Sequence, residues 1–326
     1  MEHYQQQAPR KISRGWPVLL LSVLIGLAAA VLPFALLLAP GLWAYAGART
    51  KPYWIALPAA AFAIAAFQLY TPVAAAGLTV ASALAAGLIY ALMTRKVSNT
   101  YTALILAGVF LGGLYAAICL PGILDGRGAF ADVQRAMDSI LSLYRSAMTQ
   151  MPELSAGVKT LFSQALDAFQ AEVPSLVVSA LCIFAGVLGL GNLLFFRLFC
   201  RKHPEIEISP MRPFREWTLP RSMTLGLFVF LIGSLALEWA GWAFAEGFSN
   251  AVNALVGMPL LLQGLCVVDF MLARSPKNAT LGRALTYTGI GILFSLAQTP
   301  LILIGCFEQI FRFRDRMRGV PPRAAI

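Results

Sequence analysis

Residues 174–202 read PSLVVSALCIFAGVLGLGNLLFFRLFCRK, and this stretch decides the class of fold. No charged residue occurs from Pro174 to Phe196, and Arg197, Arg201 and Lys202 follow closely. A hydrocarbon core about 30 Å thick needs roughly 20 apolar residues in helical form, so the stretch reads as a membrane span. Cationic residues collect on the cytoplasmic side of such spans, which places its C-terminal end inside. Working outward, Trp54–Tyr70, Pro72–Met93 and Tyr101–Leu120 qualify on the same grounds. Hydrophobic residues make up 59% of the chain and charged residues 12%, against roughly 45–50% and about 25% in soluble domains. Alternating ten-residue β patterns are absent, which argues against a barrel. The expected fold is all-α: a polytopic transmembrane helical bundle of about 8–10 helices, some short or broken.

The basic residues order these helices. Arg10, Lys11 and Arg14 precede an apolar run, Trp16–Ala48. It is too long for a cleaved signal, and at roughly 50 Å as one helix it is too long for one span. Pro33 disfavours an uninterrupted helix, so two elements are expected, about 16–32 and 34–48, and the hairpin returns Arg49 and Lys51 to the inside. Spans near 53–70 and 72–93 bring Arg95 and Lys96 back. A span near 99–122 leads out, and one near 173–198 returns to a basic loop at 200–218. Spans near 219–241 and 249–273 follow, with Arg274, Lys277 and Arg283 inside again. The last apolar run, Ala284–Phe311, has basic residues on both flanks, so a re-entrant or thin hairpin broken at Gln298-Thr299-Pro300 is expected. Of the 25 basic residues, only Arg127, Arg135, Arg145 and Lys159 then lie outside. The resulting segments are a cytoplasmic tail 1–15, helices in 16–122, an extracytoplasmic segment 123–172, helices in 173–313 and a basic cytoplasmic tail 314–326. The net charge of +10 is accounted for by this sidedness, with no nucleic-acid partner.

The extracytoplasmic segment carries helical rhythm. Val133, Met137, Ile140, Leu141, Tyr144 and Met148 share one helical face, as do Leu154, Val158, Leu161, Phe162, Ala165 and Phe169. An amphipathic helical hairpin broken at Met151-Pro152 is expected, packed on the bundle or the membrane surface.

Reaction chemistry is not apparent. There is no P-loop, no GxSxG and no HExxH. The cysteines Cys119, Cys182, Cys200, Cys266 and Cys306 sit in or at the ends of apolar runs, without CxxC spacing, and Cys200 with His203 lacks the second ligand pair of a zinc site. No catalytic residue, metal or cofactor is assigned. Ionisable groups in lipid are costly and by default face a bundle interior, which makes Asp269 and Glu308 candidate site residues. The competing readings are an i, i+4 pair of Glu308 with Arg312 and snorkelling of Asp269 towards Arg274. Gln263, Gln298, Asn192 and Asn253 join the intramembrane polar candidates or serve as hydrogen bonds between helices. Gly26/Ala30, Ala35/Ala39 and Gly108/Gly112 have spacing that favours close packing inside the monomer.

Three stretches resemble a known family when taken together: MRPFREWTLP at 211–220, LQGLCVVDF at 262–270 and IGCFEQIFRFR at 304–314. With the helix layout, the chain resembles the YybS-like family of uncharacterised bacterial integral-membrane proteins. There the position of Asp269 is often His and that of Glu308 often Asp, which implies a polar group at both. At the level of fold it is similar to substrate-binding subunits of energy-coupling-factor transporters. The resemblance implies the bacterial cytoplasmic membrane, and the distribution of basic residues predicts that both termini are cytoplasmic. The leading expectation is a non-enzymatic, transporter-like subunit binding an unidentified small molecule among the helices beneath the outer hairpin. The alternative is a membrane scaffold recruiting a cytoplasmic protein or anionic lipid. A ligand-sized polar cavity favours the first, and a packed interior with an ordered cytoplasmic face favours the second.

Overall fold

The computed structural model describes residues 15–151, 155–203, 205–206, 208, 213–242, 245–274 and 279–317. Helices follow one another: α1 Trp16–Val31, α2 Ala39–Arg49, α3 Ala56–Leu69, α4 Pro72–Thr94, α5 Asn99–Ile118, α6 Leu120–Leu124, α7 Ala131–Thr149, α8 Ala156–Cys200, α9 Arg221–Trp239, α10 Ala245–Arg274, α11 Ala279–Ile292, α12 Phe294–Phe311 and α13 Phe313–Met317. Short 3-10 turns cover Pro33–Leu37, Pro52–Ile55 and Phe214–Glu216. Among the described residues there is no strand, and the chain is an all-α polytopic bundle. Among the described residues, six helical stretches are long and apolar enough to cross a bilayer: Pro52–Leu69, Pro72–Thr94, Asn99–Ile118, Leu176–Cys200, Arg221–Trp239 and Leu255–Arg274. Local chemistry sets several of the starts. Thr71 accepts the Ala74 N–H ahead of Pro72, and Ser98 accepts the Tyr101 N–H, each satisfying a donor that the first helical turn cannot.

The chain forms two compact units, Met1–Ser146 with Phe184–Ser209, and Ala147–Ile183 with Pro210–Ile326. In the first, α2 is the core, since every residue from Ala39 to Gly47 is buried. Pro33 breaks the opening run as expected, and the chain turns through a 3-10 segment before α2. Gly26 lets α1 lie against the Pro58 carbonyl of α3. Gly108 and Gly112 meet nothing, whereas their neighbour Gly113 packs against Ala81 of α4. The small-residue seam therefore lies one residue away from the expected pair.

Segment 123–172 departs from expectation at its second helix. α7 forms where the rhythm placed it, with Leu141 buried. The residues around Pro152 lie outside the described ones. α8 carries no break at 172/173; it continues through Pro174 to Cys200. An internal proline removes one helical hydrogen bond, and in membrane helices that loss is tolerated. Val158, Leu161, Phe162 and Phe169 are exposed, so their face is not packed on the protein.

In the second unit, α10 and α12 cross at van der Waals range. A Cβ on Gly264 would strike the Leu301 carbonyl and one on Gly305 the Leu260 carbonyl. Ile302 lies against Gly257, while Gln263 near the end of α10 and Arg314 just beyond α12 bond to the same short segment, at Leu219 and Arg215, so α12 runs parallel to α10. α11 and α12 are bent by 117°, and the pair starts and finishes at the end where α10 finishes. A folded pair is thus present, but its break falls at Leu293 and not at Thr299-Pro300, because Pro300 sits inside α12. Gly289 and Gly291, poor helix formers, precede the actual break.

Candidate functional site

The residues singled out from sequence separate into three sets. Asn192 belongs to the first unit and is fully buried. Its Oδ1 accepts the Gly41 N–H at 2.8 Å, and its Nδ2 donates to the Leu36 carbonyl at 2.8 Å and the Leu188 carbonyl at 2.9 Å. It caps α2 from another helix and satisfies the irregular backbone that Pro33 creates. These bonds tie α8 to the start of α2. Asn192→Leu would leave a buried N–H and a buried C=O unpaired, and thermal unfolding of purified protein is expected to report a loss of about 1–3 kcal/mol.

Asn253 and Gln298 are exposed and join no site. Gln298 does not line a shielded turn as expected, since the helix break lies elsewhere.

Asp269, Glu308 and Gln263 gather at one end of the second unit, and the partners of the two acids differ from those expected. Glu308 pairs with Arg314, not with Arg312. Arg312 takes the left-handed conformation (φ 48°, ψ 51°), which reverses the chain and swings Arg314 back over the helix end. Arg314 Nε donates to Glu308 Oε1 at 2.8 Å, its backbone N–H donates to Oε2 at 3.3 Å, and its Nη1 donates to the Arg215 carbonyl at 2.8 Å. Both side chains are about 95% or more buried, with 3% and 5% exposed. Asp269 pairs with Arg283 of α11 at 3.0 Å, with Tyr287 one turn further along α11. Arg274 instead stands over the Phe270 ring, 5.8 Å from its centroid. Gln263 Oε1 accepts the Leu219 N–H at 3.2 Å.

These contacts bring together the three stretches that carried the family resemblance. Arg215 and Leu219 come from the first, Gln263 and Asp269 from the second, Glu308 and Arg314 from the third. The chain segment before α9 and the turn after α12 are both bonded into a buried polar cluster. Sequence reasoning missed Arg314, Arg283 and Tyr287. Arg314 lay among other tail arginines, and nothing but its alternation with Phe311 and Phe313 set it apart.

A second, smaller cluster marks the corresponding loop of the first unit. Arg49 Nη1 bonds to His203 Nδ1 at 3.1 Å and to Glu205 Oε1 at 2.5 Å, while Tyr45 lies between Phe199 and His203. A backbone hydrogen bond first, then His203 and Arg49, hold the Glu205 carboxyl below its ordinary range. Arg49, Asn99, Arg197 and His203 sit at loop ends that the charge rule places on one side, and Arg197 Nη2 donates to Asn99 Oδ1 at 2.5 Å. Among the described residues, no group of three His, Cys, Asp or Glu could hold a metal ion.

The model of a family described as a predicted membrane protein (DUF2232) matches residues 18–308. No curated protein and no solved structure matches the chain.

Proposed function

We propose a docking role for this chain, which belongs to the DUF2232 family of predicted membrane proteins. In this reading it is a non-enzymatic, multi-pass scaffold of the bacterial cytoplasmic membrane with both termini in the cytoplasm. The observation that carries it is the Arg314 latch, which holds the segment before α9 and the turn after α12 on the ends of α10 and α12. Arg221, Arg274, Arg312 and Arg316 remain exposed at those helix ends. A rigid basic face suits an acidic counterpart, because complementary charge steers encounter and fixes register. The counterpart in this reading is a cytoplasmic protein, with anionic lipid as the rival. A photo-crosslinking residue at Arg316 is expected to trap a discrete protein species in cells. Combined Arg221→Glu and Arg312→Glu should abolish that species without lowering thermal stability. Crosslinks to lipid alone, or a species indifferent to charge reversal, would contradict the docking role.

Sidedness has its own test. In a background without the five native cysteines, Ser146→Cys is expected to react with a membrane-impermeant maleimide in intact cells. Lys202→Cys should react only after permeabilisation. The opposite pattern would invert the topology.

A transporter-like binding subunit is the second reading, favoured by the Asp269–Arg283–Tyr287 group beside the bent helix pair. Under it, Asp269→Asn should lose a small molecule that mass spectrometry detects on wild-type protein, at unchanged expression.

A further inference from the structure

α8 carries an apolar stripe along a stretch of helix that neither lipid nor the rest of the chain covers. The part long and apolar enough to cross a bilayer begins at Leu176, yet the helix starts at Ala156 and continues unbroken into that part. Roughly 20 residues, about 30 Å of helix, therefore stand beyond the bilayer. By helical spacing, Lys159, Ser163, Asp167 and Gln170 occupy one side of this stretch and Val158, Phe162, Ala165 and Phe169 the other. The apolar side is exposed with α7 in place, so α7 does not cover it. A helix that continues unbroken from a span leaves the bilayer along its axis and cannot also lie flat on the headgroups, so lipid does not cover it either. Contiguous apolar surface left in water in this way marks a contact surface.

The stripe has the spacing of a coiled-coil seam. Phe162, Phe169, Leu176 and Ile183 recur every seven residues, and each is 39–51% exposed. Val158 and Ala165, four residues before the first two, supply the alternate positions of the heptad. Leu176 and Ile183 lie within the span, so the seam runs from the aqueous part of the helix into the bilayer without changing face. A seven-residue apolar repeat is matched by a helix with the same repeat, the two winding round each other. Copies of one chain enter a membrane in the same orientation. Two α8 helices therefore meet in parallel about a two-fold axis normal to the bilayer, with each seam residue facing its own counterpart. Glu172 takes the next seam position, at the bilayer boundary; one polar residue in a seam lowers stability and fixes register. We infer that this face of α8 is the contact surface for a second copy of the chain, which pairs in parallel through Val158, Phe162, Ala165, Phe169, Leu176 and Ile183. The pairing is independent of the docking role.

Cysteine crosslinking tests the register. In membranes carrying the chain without its native cysteines, Ala165→Cys and Phe169→Cys are expected to give disulfide-linked dimers on mild oxidation. Ser163→Cys and Ala171→Cys, on the other side of the same turns, are expected to give none. Affinity is read on purified full-length protein labelled at Lys202→Cys with donor or acceptor dye, in proteoliposomes of falling protein-to-lipid ratio. Energy transfer should saturate at high ratio and fall away on dilution. Phe162→Ser combined with Phe169→Ser should move the midpoint at least tenfold towards higher protein density. Both side chains are exposed in the single chain, so the double variant should keep the wild-type unfolding temperature at high dilution, which separates lost pairing from misfolding. Equal crosslinking at all four positions, energy transfer no greater than random encounter gives, or transfer that survives the double substitution would overturn the pair. Crosslinks from Ala165→Cys to a different protein alone would do the same.

Discussion

Arg314→Ala is expected to destabilise the second unit by about 3–5 kcal/mol, because removing one partner of a buried ion pair leaves the other charge uncompensated. Glu308 is 5% exposed, so water cannot replace the guanidinium without opening the helix end. The loss should exceed that of Arg312→Ala or Arg316→Ala, whose side chains are exposed. It should also exceed Arg314→Met combined with Glu308→Leu, which removes both charges and leaves apolar volume behind. Buried pairs replaced as a unit are often nearly neutral, whereas broken pairs are not. Thermal unfolding of the four variants in one detergent orders them directly. If Arg314→Ala unfolds with wild-type stability, the latch is not holding this end of the unit together.

The second large effect is expected at the α10–α12 crossing. Gly264 and Gly305 each face the other helix's backbone, where an added Cβ would meet a carbonyl and not a flexible side chain. A clash with backbone is relieved only by separating the helices, so Gly305→Val or Gly264→Val should abolish the native packing of the second unit. Small-to-large changes in well-packed interiors cost typically 1–3 kcal/mol when side chains can yield, and here they cannot. Gly226→Val, on α9 with open space around it, is the matched control and should fold. A Gly305→Val protein with wild-type monodispersity and unfolding temperature would show that the crossing is looser than described.

The overall class was legible from composition because the bilayer imposes it: an apolar run long enough to cross must be helical, and basic residues mark its ends. The break at Pro33 was legible for a similar reason, since proline cannot continue a helix from that interior position without losing a bond. What stayed hidden were the pairings. Asn192, read as one of several equivalent polar residues, caps α2 from a distant segment, and only tertiary placement singles it out. Glu308 looked like the i, i+4 partner of Arg312. The left-handed turn at Arg312 removes that geometry and substitutes Arg314. Asp269 looked ready to reach Arg274 along its own helix, but α11 returns Arg283 to within 3.0 Å. Pro300 marks a turn by composition but sits inside α12, while the glycines at 289 and 291 precede the actual break. Near residue 172 the switch from polar to apolar composition suggests the end of a helix. One continuous helix accommodates both halves, since composition changes along a helix need no break in its backbone.

The claim on which the docking role rests is that the segment before α9 and the turn after α12 are held rigid together by Arg314. Amide hydrogen exchange on the protein in nanodiscs measures this most directly. Protection is predicted for the amides of 214–219 and 312–317 in the wild type, and its loss from both segments together in Arg314→Ala, with α4 and α5 unchanged. Rapid exchange of either segment in the wild type, or protection that survives the substitution, would contradict it.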